Sequence, residues 1–211
     1  MIYTAILEYK GSEALFEIPP YQNNINKRIE ETKSERLKEE RRIAYGFLLK
    51  AYNDAYGESA PTLFFEEGGK PYFSSESHYV SVSHTDGFCA VSFCENPIGV
   101  DVETLANLEE KSTVIKRFVN ESLQKEIKNR EKAEDLYMLY QIKNGDVIRV
   151  DSTECVFSHS PSLASWTALE AVLKCGGGFE SYGKIDDLMT CVTLDTVLFN
   201  GAVFTTATLR V

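Results

Sequence analysis

The chain has 211 residues, a formal net charge of −10, 43% apolar and 26% charged residues. That length supports one large domain or two small ones with a real core. The acidic balance excludes a general nucleic-acid binder, whose affinity rests on a basic surface, and no apolar run is long enough to span a bilayer, so neither nucleic acid nor a membrane is an expected partner.

Residues 2–9 read as a first strand; the start lacks the basic residues and small-residue cleavage site of a secretory signal. Residues 13–18 are expected to return as the second strand of a hairpin, with Gly11 at the turn and Pro19-Pro20 as the stop. From about 24 to 56, Ile29, Leu37, Ile43, Phe47, Leu48 and Ala51 recur at near-helical spacing among charges. Gly57 is placed to end that helix, and its length implies a kink or break. Gly68-Gly69-Lys70-Pro71 is a loop. Residues 79–83 and 88–93 alternate as strands around a Thr85-Asp86-Gly87 turn. Asn96-Pro97 leads into another strand, 98–103.

Helices are expected at 108–119 and 121–142, broken by Asn144-Gly145, with a short strand at 147–150. Ser165 opens a helix over 166–174 that ends at Gly176-Gly177-Gly178. Strands near 189–198 and 202–210 close on an Asn200-Gly201 turn. The class is α+β, with strands in adjacent hairpins. Cys89, Cys94, Cys155, Cys175 and Cys191 are odd in number and lack CxxC spacing. They read as free thiols of a reducing cytoplasm.

The chemistry concentrates in three places. In Ile98-Gly99-Val100-Asp101-Val102-Glu103, strand alternation points Asp101 and Glu103 to one face and Val100 and Val102 into the core. Two adjacent acids repel unless a cation sits between them, and a hard divalent ion such as Mg²⁺ takes oxygen ligands. Gly99 leaves room for a ligand to approach the backbone. The plainer alternative is a solvated strand edge. Trp166, Glu170 and Lys174 are spaced i, i+4, i+8 along one helix side, beside an apolar stripe of Leu169, Val172 and Leu173. Taken alone, Glu170 and Lys174 also suit an exposed helix pair of about 0.3–0.5 kcal/mol. Ser83-His84 ends a strand one hairpin before Asp101. Lys70, in the Gly-Gly-Lys-Pro loop, and Arg42, midway along the long helix, are candidate cations.

Taken in order, Gly69-Lys70-Pro71, Val82-Ser83-His84, Gly99 through Glu103, and Trp166-Thr167-Ala168-Leu169-Glu170-Ala171-Val172-Leu173-Lys174 resemble the signature of the 4′-phosphopantetheinyl transferases. Lys116-Arg117-Phe118 resembles that family's Arg-Phe signal, and the resemblance covers roughly 36–180. The length resembles the larger, surfactin-synthetase-activator type. That type implies two similar α+β halves in one chain, related by a pseudo-two-fold, with the active site in the cleft between them. Residues 1–98 would form the half holding the nucleotide end of coenzyme A. Residues 99–211 would carry the metal and pyrophosphate, with an insertion at 144–165.

The implied reaction moves the 4′-phosphopantetheine arm of coenzyme A onto a serine of an apo acyl or peptidyl carrier protein. Adenosine 3′,5′-bisphosphate leaves. The resemblance implies Mg²⁺, or Mn²⁺, on Asp101, Glu103 and Glu170. It makes Glu170 the base for the serine proton and puts Lys174 on the pyrophosphate. Arg42, Lys70, Pro71, Ser83, His84 and Lys174 would hold coenzyme A. A cytoplasmic monomer is expected.

Two departures stand out. Leu169 replaces the lysine of the family's Lys-Glu-Ala. The stretch before Trp166 is also long, and its Leu139-Tyr140-Gln141-Ile142-Lys143-Asn144 mimics the last block without the acid. A second Ser-His, in Phe157-Ser158-His159-Ser160, precedes no Asp-x-Glu strand and is read as coincidence. The alternative function is a non-catalytic relative that still binds coenzyme A or a carrier protein.

Overall fold

The computed structural model describes residues 1–10, 16–75, 77–113, 115, 136–150, 161–177 and 183–210. Lys116-Arg117-Phe118 and Phe157-Ser158-His159-Ser160 lie outside them. The class is mixed α+β. Strand β1 (Tyr3–Glu8) is followed by helices α1 (Asn23–Glu30) and α2 (Glu35–Tyr56). Strands β2 (Leu63–Phe65), β3 (Pro71–Phe73), β4 (Tyr79–Thr85), β5 (Phe88–Cys94) and β6 (Ile98–Thr104) come next. After α3 (Leu105–Glu110), strands β7 (Leu136–Lys143) and β8 (Asp146–Val150) precede α4 (Pro161–Cys175) and α5 (Ile185–Cys191). Strands β9 (Val192–Phe199) and β10 (Ala202–Leu209) complete the order.

Alternation along the strands builds the layers. Ala5 and Leu7 of β1 point into a core with Phe47, Leu48 and Ala51 of α2. Ile6, between them, points the other way, into a core with Val100, Val102 and Phe204. The five-stranded sheet β4-β5-β1-β7-β8 therefore has α2 on one face and the three-stranded sheet β6-β10-β9 on the other. Helix α4 covers the far face of the smaller sheet, where Ala168, Ala171 and Val172 meet Val203 and Ala207. Between the sheets, Thr4 Oγ1 lies 3.2 Å from Thr206 Oγ1 and 2.9 Å from Ser92 Oγ. These hydroxyls satisfy one another where no water reaches.

The long helical stretch is indeed broken. Thr32 Oγ1 donates back to the Arg28 carbonyl at 2.9 Å, and the Ser34 side chain then caps α2 by accepting from Leu37 N–H. Gly57, at φ 72°, ends α2 as expected. The turns at Asn144-Gly145 and Asn200-Gly201 put both residues at positive φ, which suits the twist of a two-residue hairpin.

Several expectations fail. Residues 16–18 form no strand, because both edges of β1 are taken: β5 pairs antiparallel on one side and β7 parallel on the other. Where a helix was expected to 142, residues 136–143 form β7. Met138, Tyr140 and Ile142 face the α2 core while Leu139 faces the opposite one, a period of two. Helix α3 begins at Leu105, earlier than 108, and α4 begins at Pro161, earlier than Ser165. Residues 189–191 belong to α5 and not to the next strand. Within 144–165, residues 146–150 are β8, paired to β7, and 161–165 are the first turn of α4. Strands β7 and β8 share one sheet with β1, β4 and β5. Among the described residues, no helix is long and apolar enough to cross a membrane.

Candidate active site

Strand β6 is buried along its whole length, so the solvated-edge alternative fails. Val100 and Val102 fill the core between the sheets, which turns Asp101 and Glu103 to the opposite face, beneath α4. Gly99 serves the same packing. A Cβ there would strike the Ala171 carbonyl and approach Cys175 N to 2.6 Å. The backbone approached at Gly99 is that of α4, not of a ligand, which corrects the sequence expectation.

The edge strand β4 meets β6 through side chains on one face. Ser81 accepts from Val100 N–H at 3.0 Å, Ser83 donates to Asp101 Oδ1 at 2.8 Å, and Thr85 donates to Glu103 Oε1 at 2.6 Å. Hydroxyls at i, i+2 and i+4 thus hold two strands that belong to different sheets.

A cleft of about 360 Å³ opens at this junction. Ser83, His84, Asp101, Glu103, Lys111, Glu170 and Lys174 line it with Val82 and Val102. Lys174, in the last turn of α4, donates to Asp101 Oδ1 at 2.6 Å, Ser83 Oγ at 3.1 Å and the Val100 carbonyl at 3.2 Å. Its ammonium is 3.9 Å from Glu170 Oε2. Glu170 has a pKa pushed up to about 7, first by burial and then by the Asp101 charge, which the Lys174 cation opposes. A hydrogen bond between the two carboxyl groups adds to the rise.

Glu103 has a different environment. Its Oε1 accepts from Thr85, from Asn107 Nδ2 at 2.8 Å and from Thr104 N–H at 3.0 Å; its Oε2 pairs with Lys111 at 2.5 Å. Burial pushes its pKa up, but these donors and the Lys111 charge outweigh it and hold the carboxyl below its usual value. His84 is held below its ordinary pKa by burial, with Lys174 and Arg41 adding to the effect and Glu40 opposing it. Burial thus favours its neutral form. Glu40 Oε2, on α2, stands 3.7 Å from its Nδ1.

Ser83, His84, Asp101, Glu103, Glu170 and Lys174 are brought together as the sequence analysis expected. Arg42, Lys70 and Pro71 do not line the cleft. Arg42 is exposed on α2, and the arginine whose charge bears on His84 is its neighbour Arg41. Lys70 is in the β2–β3 hairpin, where its charge bears on Cys175. Pro71 is buried as the first residue of β3. Leu169 is buried in the core between α4 and the smaller sheet, away from the cleft. Lys111 was missed, though its spacing held a signal: Asn107, on the helix that follows Glu103, and Lys111, the C-cap of that helix, are i and i+4.

Among the described residues, no group of three His, Cys, Asp or Glu side chains is arranged to hold a metal ion. The donor chemistry separates the three carboxylates. Asp101 and Glu170 stand together with more negative charge than Lys174 offsets, and together they fit a hard cation. Glu103 fits less well, because its Oε1 already accepts three hydrogen bonds and its Oε2 is paired with the Lys111 ammonium.

No protein-family model matches the chain, and no curated protein is similar to it in sequence.

Proposed function

We propose that the cleft binds the pyrophosphate of coenzyme A and transfers its 4′-phosphopantetheine arm to a serine of an apo acyl or peptidyl carrier protein. One observation carries this. Segments 83–84, 101–103 and 170–174, which carry the family-like motifs, converge on a single polar cleft. Phosphoryl transfer mostly requires positioning and charge neutralisation, and both are available there. Lys174 supplies a cation for phosphate oxygens. His84, in its neutral form, supplies a ring N–H donor without adding charge. Ser83 orients Asp101 and Lys174 through its two hydrogen bonds.

Glu170 is the base. Its raised pKa lets the carboxylate form present at neutral pH take the serine hydroxyl proton at an Oε. The serine oxygen forms its bond to the phosphorus of the arm. The bond from that phosphorus to the bridging pyrophosphate oxygen breaks, and adenosine 3′,5′-bisphosphate leaves with that oxygen. A Mg²⁺ ion held by Asp101 and Glu170 would neutralise phosphate charge. The lysine-to-leucine departure at 169 leaves the cleft's own charges in place, since Leu169 is buried elsewhere. That favours transfer over binding alone.

The test is intact-mass spectrometry of an apo carrier protein incubated with this protein, coenzyme A and Mg²⁺. The expected result is a gain of one phosphopantetheine arm that disappears with Glu170→Ala or with chelator. No gain across several carrier proteins, with coenzyme A still bound, would replace transfer by the binding-only alternative.

A further inference from the structure

We propose that Lys111 is a built-in counter-ion that withdraws Glu103 from the divalent-cation site, leaving Asp101 and Glu170 as that site's carboxylate ligands. The inference rests on the functional reading above only in taking a divalent cation to belong in this cleft.

The two acids of β6 point to the same face, yet their surroundings differ. A carboxylate offers about four lone-pair positions, two on each oxygen. Three donors already crowd Glu103 Oε1: the Thr85 hydroxyl, the Asn107 amide and the Thr104 N–H. The remaining oxygen faces the Lys111 ammonium. A divalent ion brought to that oxygen would sit beside a fixed positive charge. Lys111 is positioned for this role by α3, whose Thr104 side chain caps its start and whose C-cap residue is the lysine itself. Asn107 and Lys111 reach Glu103 from the same side of that helix.

Asp101 offers the opposite case. Its Oδ1 accepts from both Ser83 and Lys174, and neither bond uses Oδ2. Glu170 adds a second carboxyl within hydrogen-bonding reach of Asp101. Asp101 and Glu170 line the same cleft, so a cation can be held between them without displacing Lys111.

The experiment is a Mn²⁺ titration of the whole protein, without coenzyme A or carrier protein, followed by the electron paramagnetic resonance signal of free Mn²⁺. Glu103→Gln keeps the size of the side chain and an acceptor oxygen, and it is expected to change Mn²⁺ affinity by less than about twofold. Asp101→Asn is expected to abolish binding. Lys111→Met frees Glu103 and is expected to tighten binding by about tenfold, the low end of what outer partners contribute at metal sites. Adding Glu103→Gln to Lys111→Met should return the affinity to that of the parent. Far-ultraviolet circular dichroism checks that each variant is folded.

The proposal is overturned if Glu103→Gln alone weakens Mn²⁺ tenfold or more. It is equally overturned if Lys111→Met leaves affinity unchanged, or if the parent protein binds no Mn²⁺. The transfer assay is separate. Failed transfer with the expected Mn²⁺ pattern would remove the transferase reading and leave the Lys111 inference standing.

Discussion

Gly99→Ala should loosen the protein by moving α4 off β6. The added Cβ would collide with the Ala171 carbonyl and lie 2.6 Å from Cys175 N, where ordinary contacts begin at 3.4 Å. Both obstacles are backbone atoms of the helix, so no side chain can rotate away. The helix must retreat by roughly 1 Å from a close-packed interface. Overpacking of this kind costs about 1–3 kcal/mol, and the backbone contacts put Gly99→Ala at the upper end. For a chain of this size each kcal/mol moves Tm by about 2–4 °C, so the expected drop is about 6–12 °C. Gly183→Ala is the control, since no described atom lies within 4 Å of its added Cβ. Its Tm should stay within about 2 °C of the parent, as surface substitutions usually do. Differential scanning calorimetry of the two variants decides the matter. A Gly99→Ala protein as stable as Gly183→Ala would refute the account of how α4 is seated.

Glu170 should make stability fall as pH rises. Its pKa is raised from an ordinary 4.5 to about 7 in the folded chain, so between those values the folded state binds more protons than the unfolded one. Stability from this group is complete below about 4.5 and is lost toward pH 7, by at most about 3 kcal/mol. Urea unfolding at pH 5 and pH 8 should show that slope reduced in Glu170→Gln, and an unchanged slope would contradict it. Glu103 works in the other direction: its lowered pKa gives stability above its ordinary value that is lost on further acidification. Thr85→Val removes one hydroxyl donor to Glu103 and should cost about 1 kcal/mol at neutral pH, measured by the same unfolding. A neutral effect would mean that Asn107, Thr104 and Lys111 suffice to hold that carboxylate.

The strands and helices that end on local signals were legible in the sequence. Gly57 ends α2, Asn144-Gly145 and Asn200-Gly201 close hairpins, and the alternation of β6 set which residues face α4. What was not legible depends on partners far along the chain. Leu136-Tyr137-Met138-Leu139-Tyr140 carries apolar residues at spacings that suit a helix as well as a buried strand. Only the vacant edge of β1, more than a hundred residues earlier, selects the strand. The same pairing leaves residues 16–18 outside any strand, because β1 has no edge left to give.

The two carboxylates of β6 show the same limit at the site. Their i, i+2 spacing says correctly that they share a face, and nothing in that spacing distinguishes them. The difference comes from what each meets across the cleft. Asp101 stands opposite Ser83 of β4 and Lys174 of α4, with Glu170 alongside. Glu103 stands two residues further along, where the chain turns directly into α3. There the Thr104 N–H, Asn107 and Lys111 are delivered by a single local stretch of nine residues. A carboxylate at the start of a helix is a natural acceptor for the helix's first donors. Glu103 is therefore committed to seating α3, whereas Asp101 is held between elements that are remote in sequence and lines the cleft beside Glu170. Paired acids on one strand thus divide into an anchor and a working group by which of them lies nearer the next helix.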